Sequence, residues 1–301
     1  MKIAIKTPES GWILDEIAND FVKKTSLEVV KDLNIADIIW CVDVFSVKNI
    51  LQFSGIKVVS FHHLNKECLH EYDFRSLNMA DYFIVPNEIT KRDISSYITK
   101  PVIKLPYWLL SKMTNKKDID NLKRLRTQLC PNNELLIGSF IKDGNGNDGK
   151  TPKVSKNPDL LLMVLERLRE INIKVLLSGY AREYVISGLK KLKIPYIYYP
   201  KYENIDMLYD CLDWYLVTSK YEGGPQSILE ASFRDIKILS TNVGMVSDVL
   251  HKDCICSDCM DFVNKIKSNV CHREYNRDMV VNNYMPEIVI PMYDKLFKSI
   301  Y

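Results

Sequence analysis

The chain has 301 residues, 47% of them apolar and 26% charged, with a formal net charge of +3. That length suits two modest domains, each with its own core, and the charge is too small to argue for nucleic acid as a partner. No stretch approaches the roughly 18 apolar residues of a membrane span, and Met1-Lys2-Ile3-Ala4-Ile5-Lys6 lacks the apolar run of a signal peptide. A cytoplasmic protein is therefore expected, with its eight cysteines as reduced thiols.

Residues 1 to about 110 alternate apolar runs with helical patterns. Lys2 to Lys6 reads as a strand, and Ile13, Ile17, Phe21 and Val22 form a helical stripe after it. Further strands are expected at Ala36–Val42, Ile56–Phe61, Asp81–Val85 and Pro101–Leu105. Strands interleaved with helices predict a parallel sheet covered on both faces. Ligands bind such sheets at the carboxyl ends of strands. Two places qualify here. The turn Thr7-Pro8-Glu9-Ser10-Gly11-Trp12 follows the first strand, but its single glycine is by itself a weak phosphate signal. Phe61-His62-His63-Leu64 ends the third of these runs; a histidine there can donate to a sugar hydroxyl or a phosphate, although alone it reads as a satisfied, half-buried residue.

Residues 111–133 read as a linker with a short amphipathic helix. Basic residues around Lys116 and Lys123 keep it soluble and permit at most peripheral contact with an anionic membrane surface. A second domain opens with the strand Glu134–Phe140. The polar loop after it, starting at Asp143, invites a calcium-loop reading that fails: its sixth position is Asp148, not glycine, and its twelfth is Val154, not glutamate. A flexible loop is expected instead. Lys156-Asn157-Pro158 then opens a helix to about Ile171, and a lysine at a helix mouth beside a strand end can reach a phosphate. Strands at Ile173–Gly179 and Pro195–Pro200 and a helix at Asn204–Leu212 follow.

The strongest pattern comes next. Trp214-Tyr215-Leu216-Val217-Thr218 reads as a buried strand, Gly223-Gly224 frees the backbone, Pro225 suits the first helical position, and Ser227–Phe233 continues as a helix. Such a turn aims backbone N–H groups and the positive end of a helix dipole at one point, where an anion can sit. Glu222 lies just before the turn, and Glu230 lies about six residues into the helix, roughly 9 Å along its axis at 1.5 Å per residue. Two glutamates alone read as a helix cap and a solvated side chain. The glycines, the proline and the preceding strand favour a ligand with phosphate at the helix mouth and hydroxyls on either side, the layout of a sugar nucleotide.

Thr218-Ser219-Lys220-Tyr221-Glu222-Gly223-Gly224-Pro225 through Glu230-Ala231 resembles the signature of family 4 retaining glycosyltransferases, in which two glutamates are separated by seven residues, as Glu222 and Glu230 are here. Ser240-Thr241-Asn242-Val243-Gly244 and Asp248 also resemble that family's next strand, glycine loop and acidic position. Where the family has small residues and a Gly-x-Pro run, this chain has Arg234-Asp235-Ile236-Lys237, read as a surface change. The resemblance covers residues 134–260 well and the first 110 weakly. It implies the GT-B fold: two Rossmann-like α/β domains with parallel sheets facing across a cleft. The domains would be 1–110 on the acceptor side, a linker at 111–133, a nucleotide-sugar domain at 134–275, and a helical tail at 276–301, broken by Pro286 and Pro291, returning towards the first domain.

The resemblance also implies roles. Glu222 would hold the donor sugar and Glu230 the ribose, with Gly223 and Gly224 at the diphosphate. Lys156 and, by a looser step, Lys142 would face the same diphosphate, as would Gly11. Tyr202 falls in the loop that holds the base. His62, or His63 in the alternative register, would stand at the reaction centre. The expected partner is a nucleoside-diphosphate sugar, with a glycan, lipid or protein acceptor that the sequence leaves open. No metal or other cofactor is expected, because protein cations replace the metal at the diphosphate. Cys254, Cys256, Cys259, Cys271 and His272 raise a zinc site, but they lack a paired C-x2-C, and Cys254 and Cys256 alternate along a strand. Alternatives are a sugar-nucleotide epimerase or glycogen-type synthase on the same fold, a degenerate sugar-nucleotide-binding protein, and, ranked last, a glycosidase with its two flanking carboxylates.

Overall fold

A computed structural model of the chain describes residues 1–301 apart from Ser10, Trp12 and Asn147. Two of those belong to the first turn and the third to the polar loop, so these parts of the expectation lie outside the described residues. The chain forms two compact units. One comprises Met1–Lys112, Glu222–Gly224 and Asn282–Tyr301; the other comprises Met113–Tyr221 and Pro225–Val281. No helix among the described residues is long and apolar enough to cross a membrane.

The first unit is built on six parallel strands: β1 (Lys2–Lys6), β2 (Glu28–Val29), β3 (Ile38–Cys41), β4 (Ile56–Ser60), β5 (Tyr82–Val85) and β6 (Val102–Lys104). Their order is β2-β1-β3-β4-β5-β6, so the direction of strand succession reverses between β1 and β3. Helices α1 (Ile13–Lys24), α2 (Phe74–Leu77) and α3 (Glu88–Ile94) connect them. β3 is buried at every position, as befits a strand covered on both faces. The two-residue edge strand β2 has no apolar pattern and was not expected from the sequence.

The second unit repeats the plan. Its strands are β7 (Leu135–Ser139), the short pair β8 (Gly144–Asn145) and β9 (Thr151–Pro152), then β10 (Ile173–Ser178), β11 (Tyr196–Tyr199), β12 (Trp214–Val217), β13 (Lys237–Thr241) and β14 (Ile255–Cys256). The parallel sheet runs β11-β10-β7-β12-β13-β14. This is the 3-2-1-4-5-6 succession of dinucleotide-binding sheets, with its switch point between β7 and β12. Its helices are α4 (Ile119–Leu129), α5 (Pro158–Leu168), α6 (Glu183–Leu192), α7 (Ile205–Asp210), α8 (Gln226–Phe233), α9 (Val246–Val249), α10 (Cys259–Lys267) and most of α11 (Arg273–Asn283). Helix α4 is tied down by Arg126, which donates to the carbonyls of Cys211 and Glu134 and to Asp213.

Three expectations need correction. The loop after Asp143 is not an open flexible loop: Gly144 and Asn145 pair antiparallel with Pro152 and Thr151. A Cβ at Gly144 would stand 2.3 Å from the Gly149 carbonyl oxygen, so only glycine fits there. Arg234 is not on the surface. It is 2% exposed, pairs with Asp210 through Nε at 2.9 Å and through Nη2, and donates from Nη1 to the Met113 and Asn115 carbonyls. Finally, Pro291 does not break the last helix, α12 (Pro286–Ile300), but sits inside it. Pro286 occupies its first turn, where a missing N–H costs nothing.

Helix α12 completes the first unit. Asp294 accepts from Thr25 and Ser26 at 2.5–2.9 Å, and Tyr293 and Phe297 join Phe21, Trp40 and Trp108 in one aromatic cluster. The two indole N–H groups are satisfied inside it, Trp40 by Ser60 Oγ and Trp108 by Asp20, both at 2.9 Å.

Candidate functional site

In the second unit the candidate residues gather at the carboxyl ends of the strands on either side of the switch point. Strand β12 is buried at all four positions, and the chain leaves it through Thr218-Ser219-Lys220-Tyr221. This exit is held on both sides. Thr241 Oγ1 donates to the Ser219 carbonyl at 2.6 Å. The Lys220 and Tyr221 amides donate to the Ser155 carbonyl at 2.8 and 3.2 Å, and Thr218 Oγ1 donates to the carbonyls of Lys156 and Asn157 at 3.4 and 3.3 Å. Lys156 ends a short 3-10 turn, Val154–Lys156, and Asn157 takes a left-handed conformation, φ 48°, before Pro158 starts α5. The lysine's backbone and the exit of β12 are therefore one hydrogen-bonded assembly.

Helix α8 begins at Gln226, with Pro225 as its cap residue rather than its first helical residue, and no side chain caps it. Every residue from Gln226 to Ser232 is buried. Glu230 is 9% exposed, and Tyr209 Oη of α7 donates to its Oε2 at 2.7 Å. Burial first, then the neighbouring Glu230 charge, pushes the Tyr209 phenol well above its ordinary range, so it stays a donor. Phe140 and Tyr215 pack on the Tyr209 ring at 4.9 and 5.1 Å. These ring contacts hold the Tyr209 hydroxyl against the Glu230 carboxylate.

Lys142 follows β7, and next to it the sequence reading missed an ion pair. Asp143 and Arg182 are wholly buried, with Arg182 Nη2 2.9 Å from Asp143 Oδ2. Arg182 also donates to the carbonyls of Ser139, at the end of β7, and Ser178, at the end of β10. Burial lifts the Asp143 carboxyl despite the opposing guanidinium, with Lys156 also pulling it down. Arg182 thus joins two strand ends and the start of the loop that carries Lys142. Tyr202, in the loop after β11, lies against Tyr199 with ring centroids 5.1 Å apart.

The first unit holds the other candidates. Gly11 has φ +70°, and its amide donates to Asp15 Oδ2 at 2.6 Å while Glu9 donates to Oδ1 at 3.1 Å. The amides of Glu9 and Gly11 are therefore both taken up by the Asp15 carboxylate. His62 follows β4 and reaches across to β3's exit. Its Nε2 lies 2.5 Å from the Val42 carbonyl and its Nδ1 meets Tyr107 Oη. The carbonyl can only accept, so Nε2 carries the proton and Nδ1 accepts from the phenol. Burial holds His62 below its ordinary value and keeps it neutral. Both ring nitrogens are thus used within the unit. His63 is half-buried beside it, its carbonyl accepting from Tyr72 Oη at 3.3 Å.

Glu222, Gly223 and Gly224 pack with this unit. A Cβ on Gly223 would stand 2.5 Å from the His62 carbonyl oxygen and 3.0 Å from Tyr107 Oη, so the backbone passes where no side chain fits. Asn87 Nδ2 donates to the Gly223 carbonyl, while Asn87 Oδ1 caps α3 by accepting from Thr90 at 2.7 Å. Burial, then Tyr293 and the Glu222 charge, push the Tyr107 phenol well up. Asn87 and Tyr107 were not singled out from the sequence. Asn87 carried a faint signal, since it follows a predicted strand at the same sheet edge as His62.

No protein-family model matches this chain, and no curated protein matches it. Solved structures do. A glycosyltransferase from Rickettsia africae aligns over 99% of this chain and 98% of its own at 13% identity, TM-score 0.75. HepE from Anabaena, solved with UDP and glucose, aligns over 99% and 100% at 11% identity, TM-score 0.77. A sucrose-phosphate synthase from Thermosynechococcus elongatus aligns over 88% and 74% at 14% identity, TM-score 0.70. At these identities the likeness establishes the fold, and the chain has the GT-B type of α/β fold that these glycosyltransferases share.

Proposed function

We propose that this chain is a retaining glycosyltransferase that moves a sugar from a nucleoside-diphosphate donor to an acceptor without a metal ion. The observation that carries the reading is the bonding of the β12 exit to the Lys156 turn at the switch point of a dinucleotide-type sheet. The backbone of the Lys156 turn and the approach to the α8 N-terminus are thereby held together, which supports a phosphate-binding role for the lysine.

The chemistry follows from charge. As the sugar–phosphate bond breaks, the leaving diphosphate gains negative charge, and preorganised cations and N–H groups stabilise it most at that moment. Lys156, Lys142 and the backbone at Gly223-Gly224 serve that end, which is the work a divalent ion does elsewhere. Glu230, fixed by Tyr209, accepts from ribose hydroxyls. Glu222 accepts from hydroxyls of the donor sugar, and Tyr202 stacks on the base. His62, with both nitrogens engaged, contributes by holding the Tyr107 and Gly223 region in place. Attack comes from the face the leaving group departs, so no covalent nucleophile is required. HepE, with the same fold, was solved with UDP and with UDP-glucose, which supports a nucleotide sugar as the ligand class.

A second reading, a binding protein without turnover, draws on the engagement of the Gly11 amide by Asp15. One experiment separates the two. Binding of nucleosides, nucleoside diphosphates and nucleotide sugars is measured by calorimetry for wild type and Lys156→Ala, with donor hydrolysis and transfer assayed in parallel. Lys156→Ala should weaken the diphosphate far more than the nucleoside; equal losses would remove the phosphate role. A donor that binds but is neither hydrolysed nor transferred to any acceptor pool favours the binding protein.

A further inference from the structure

The second unit contains a cluster that the donor-site reading does not use. His251, Asp253 and His272 each present a potential metal ligand, and these atoms lie within 4.8 Å of one another. His272 Nε2 is 3.1 Å from Asp253 Oδ2, and His251 Nδ1 is 3.5 Å from the same oxygen. The imidazoles stack with centroids 3.7 Å apart and planes 23° from parallel.

The Asp253 carboxylate thus stands within 3.1–3.5 Å of a nitrogen of each ring, so two imidazoles and one carboxylate meet at one point. His251 Nδ1 now accepts the Asp253 backbone N–H at 3.3 Å, a long bond that a cation at Nδ1 would replace. The frame is fixed from behind. The His251 amide donates to Asn276 Oδ1 at 2.8 Å, and Asn276 is 1% exposed. The Tyr275 ring meets the His251 ring edge-on at 5.2 Å. In front, His272 opens onto a groove of about 750 Å3 lined by Lys117, Asp235, Arg273 and Arg277, so solvent can complete a coordination shell.

We propose that His251, Asp253 and His272 bind one divalent transition-metal ion of the zinc class, with water as the remaining ligand. Two imidazoles and one carboxylate suit zinc, cobalt or nickel rather than calcium or magnesium, which prefer all-oxygen shells. The ion ties the turn before β14 to the residue preceding α11, a structural role apart from sugar transfer. The sequence reading set zinc aside on cysteine spacing. These ligands are a different set, sharing only His272 with it, and they converge only when the chain is folded.

The test is titration of chelator-treated, tag-free full chain with cobalt(II) chloride, followed by visible absorption, metal content and the imidazole proton resonances. One equivalent should bind, give ligand-field bands, and be displaced by zinc chloride. In wild type, the paramagnetic ion should shift or broaden two of the chain's five histidines, leaving those at positions 62, 63 and 70 sharp. Asp253→Asn and His272→Gln should each weaken binding by at least the roughly 10- to 100-fold that losing even an outer partner of a metal site costs. His70→Ala should leave it unchanged. Failure of wild type to bind a saturable equivalent overturns the proposal. So does perturbation of other histidines, or full affinity in both ligand variants, since either places the ion elsewhere. The wild-type resonances decide the matter even if a ligand variant fails to fold.

Discussion

Arg182 and Asp143 form an ion pair from which water is excluded on both sides, with Arg182 Nη2 2.9 Å from Asp143 Oδ2 and both side chains 0% exposed. The pair does not owe its place to a large net gain in stability, because desolvation offsets most of the attraction of buried charges. What it does is join the ends of β7 and β10 to the loop bearing Lys142.

Breaking the pair from one side is therefore costly. Arg182→Met leaves a buried carboxylate without its cation and the Ser139 and Ser178 carbonyls without their donor, and should destabilise by about 3–5 kcal/mol. Adding Asp143→Ala should return about 0.5–3 kcal/mol of coupling. Denaturant unfolding of the two single variants and the double variant measures this, and strictly additive losses would mean that the two residues do not act as a pair.

Arg234 makes a second test of a buried guanidinium. Its fork reaches Asp210 and two carbonyls at once, a geometry a lysine ammonium does not reproduce. Arg234→Lys should lower stability by about 1.5–3 kcal/mol, the scale of a lost hydrogen bond to a charged group. A change within about 0.5 kcal/mol, as for surface substitutions, would restore the surface reading that the sequence suggested.

These two arginines show where the sequence was legible and where it was not. Apolar runs such as Trp214–Val217 declare themselves, because a strand buried on both faces needs consecutive large side chains, and the glycines before α8 stand out as well, although Gly223 is required by a close backbone approach to His62 rather than by a positive φ. The parallel sheets followed from those signals, apart from the two-residue edge strand β2, which has no apolar pattern. Arg182 and Arg234 sit among charged residues, Arg182-Glu183 and Arg234-Asp235, where the pattern reads as solvated surface. Their burial comes from carbonyls and carboxylates distant in sequence, which no local pattern carries. Tyr107 was hidden for the same reason: its partner His62 stands 45 residues away. Glu230 was found, but not the Tyr209 that fixes it.

His62 gives stability a pH dependence whose sign is set by its burial. The folded state holds the ring below its ordinary value of 6.5, whereas the unfolded chain takes up the proton near that value. Between the two values the unfolded state binds more protons, so stability rises with pH there. The contribution is complete above about 6.5 and is lost as pH falls from there towards the folded-state value. Unfolding measured at about pH 8 and about pH 5.5 should show a larger acid loss for wild type than for His62→Gln, which lacks the titrating ring. Equal pH dependence in the two proteins would contradict a His62 held neutral in the folded state.

Glu222 and Glu230 should separate chemistry from binding. Glutamine keeps the size and hydrogen-bonding head of glutamate and removes the charge. At Glu230 it also keeps an acceptor for Tyr209 Oη, which alanine would leave buried without a partner. Glu230→Gln replaces a charge-assisted bond to ribose with a neutral one, so the free nucleoside diphosphate and the full donor should weaken together, by up to about 1.5–3 kcal/mol, roughly ten- to a hundredfold. Glu222 has no sugar to touch in the free diphosphate. Glu222→Gln should therefore leave diphosphate binding nearly intact and lower turnover strongly, because its interaction is required as the sugar reacts. Calorimetry with diphosphate and donor, beside rates of donor hydrolysis and transfer, reads both effects. Normal turnover in Glu222→Gln would remove that residue from the reaction while leaving the fold untouched, and a loss of donor but not diphosphate affinity in Glu230→Gln would move Glu230 from the ribose to the sugar.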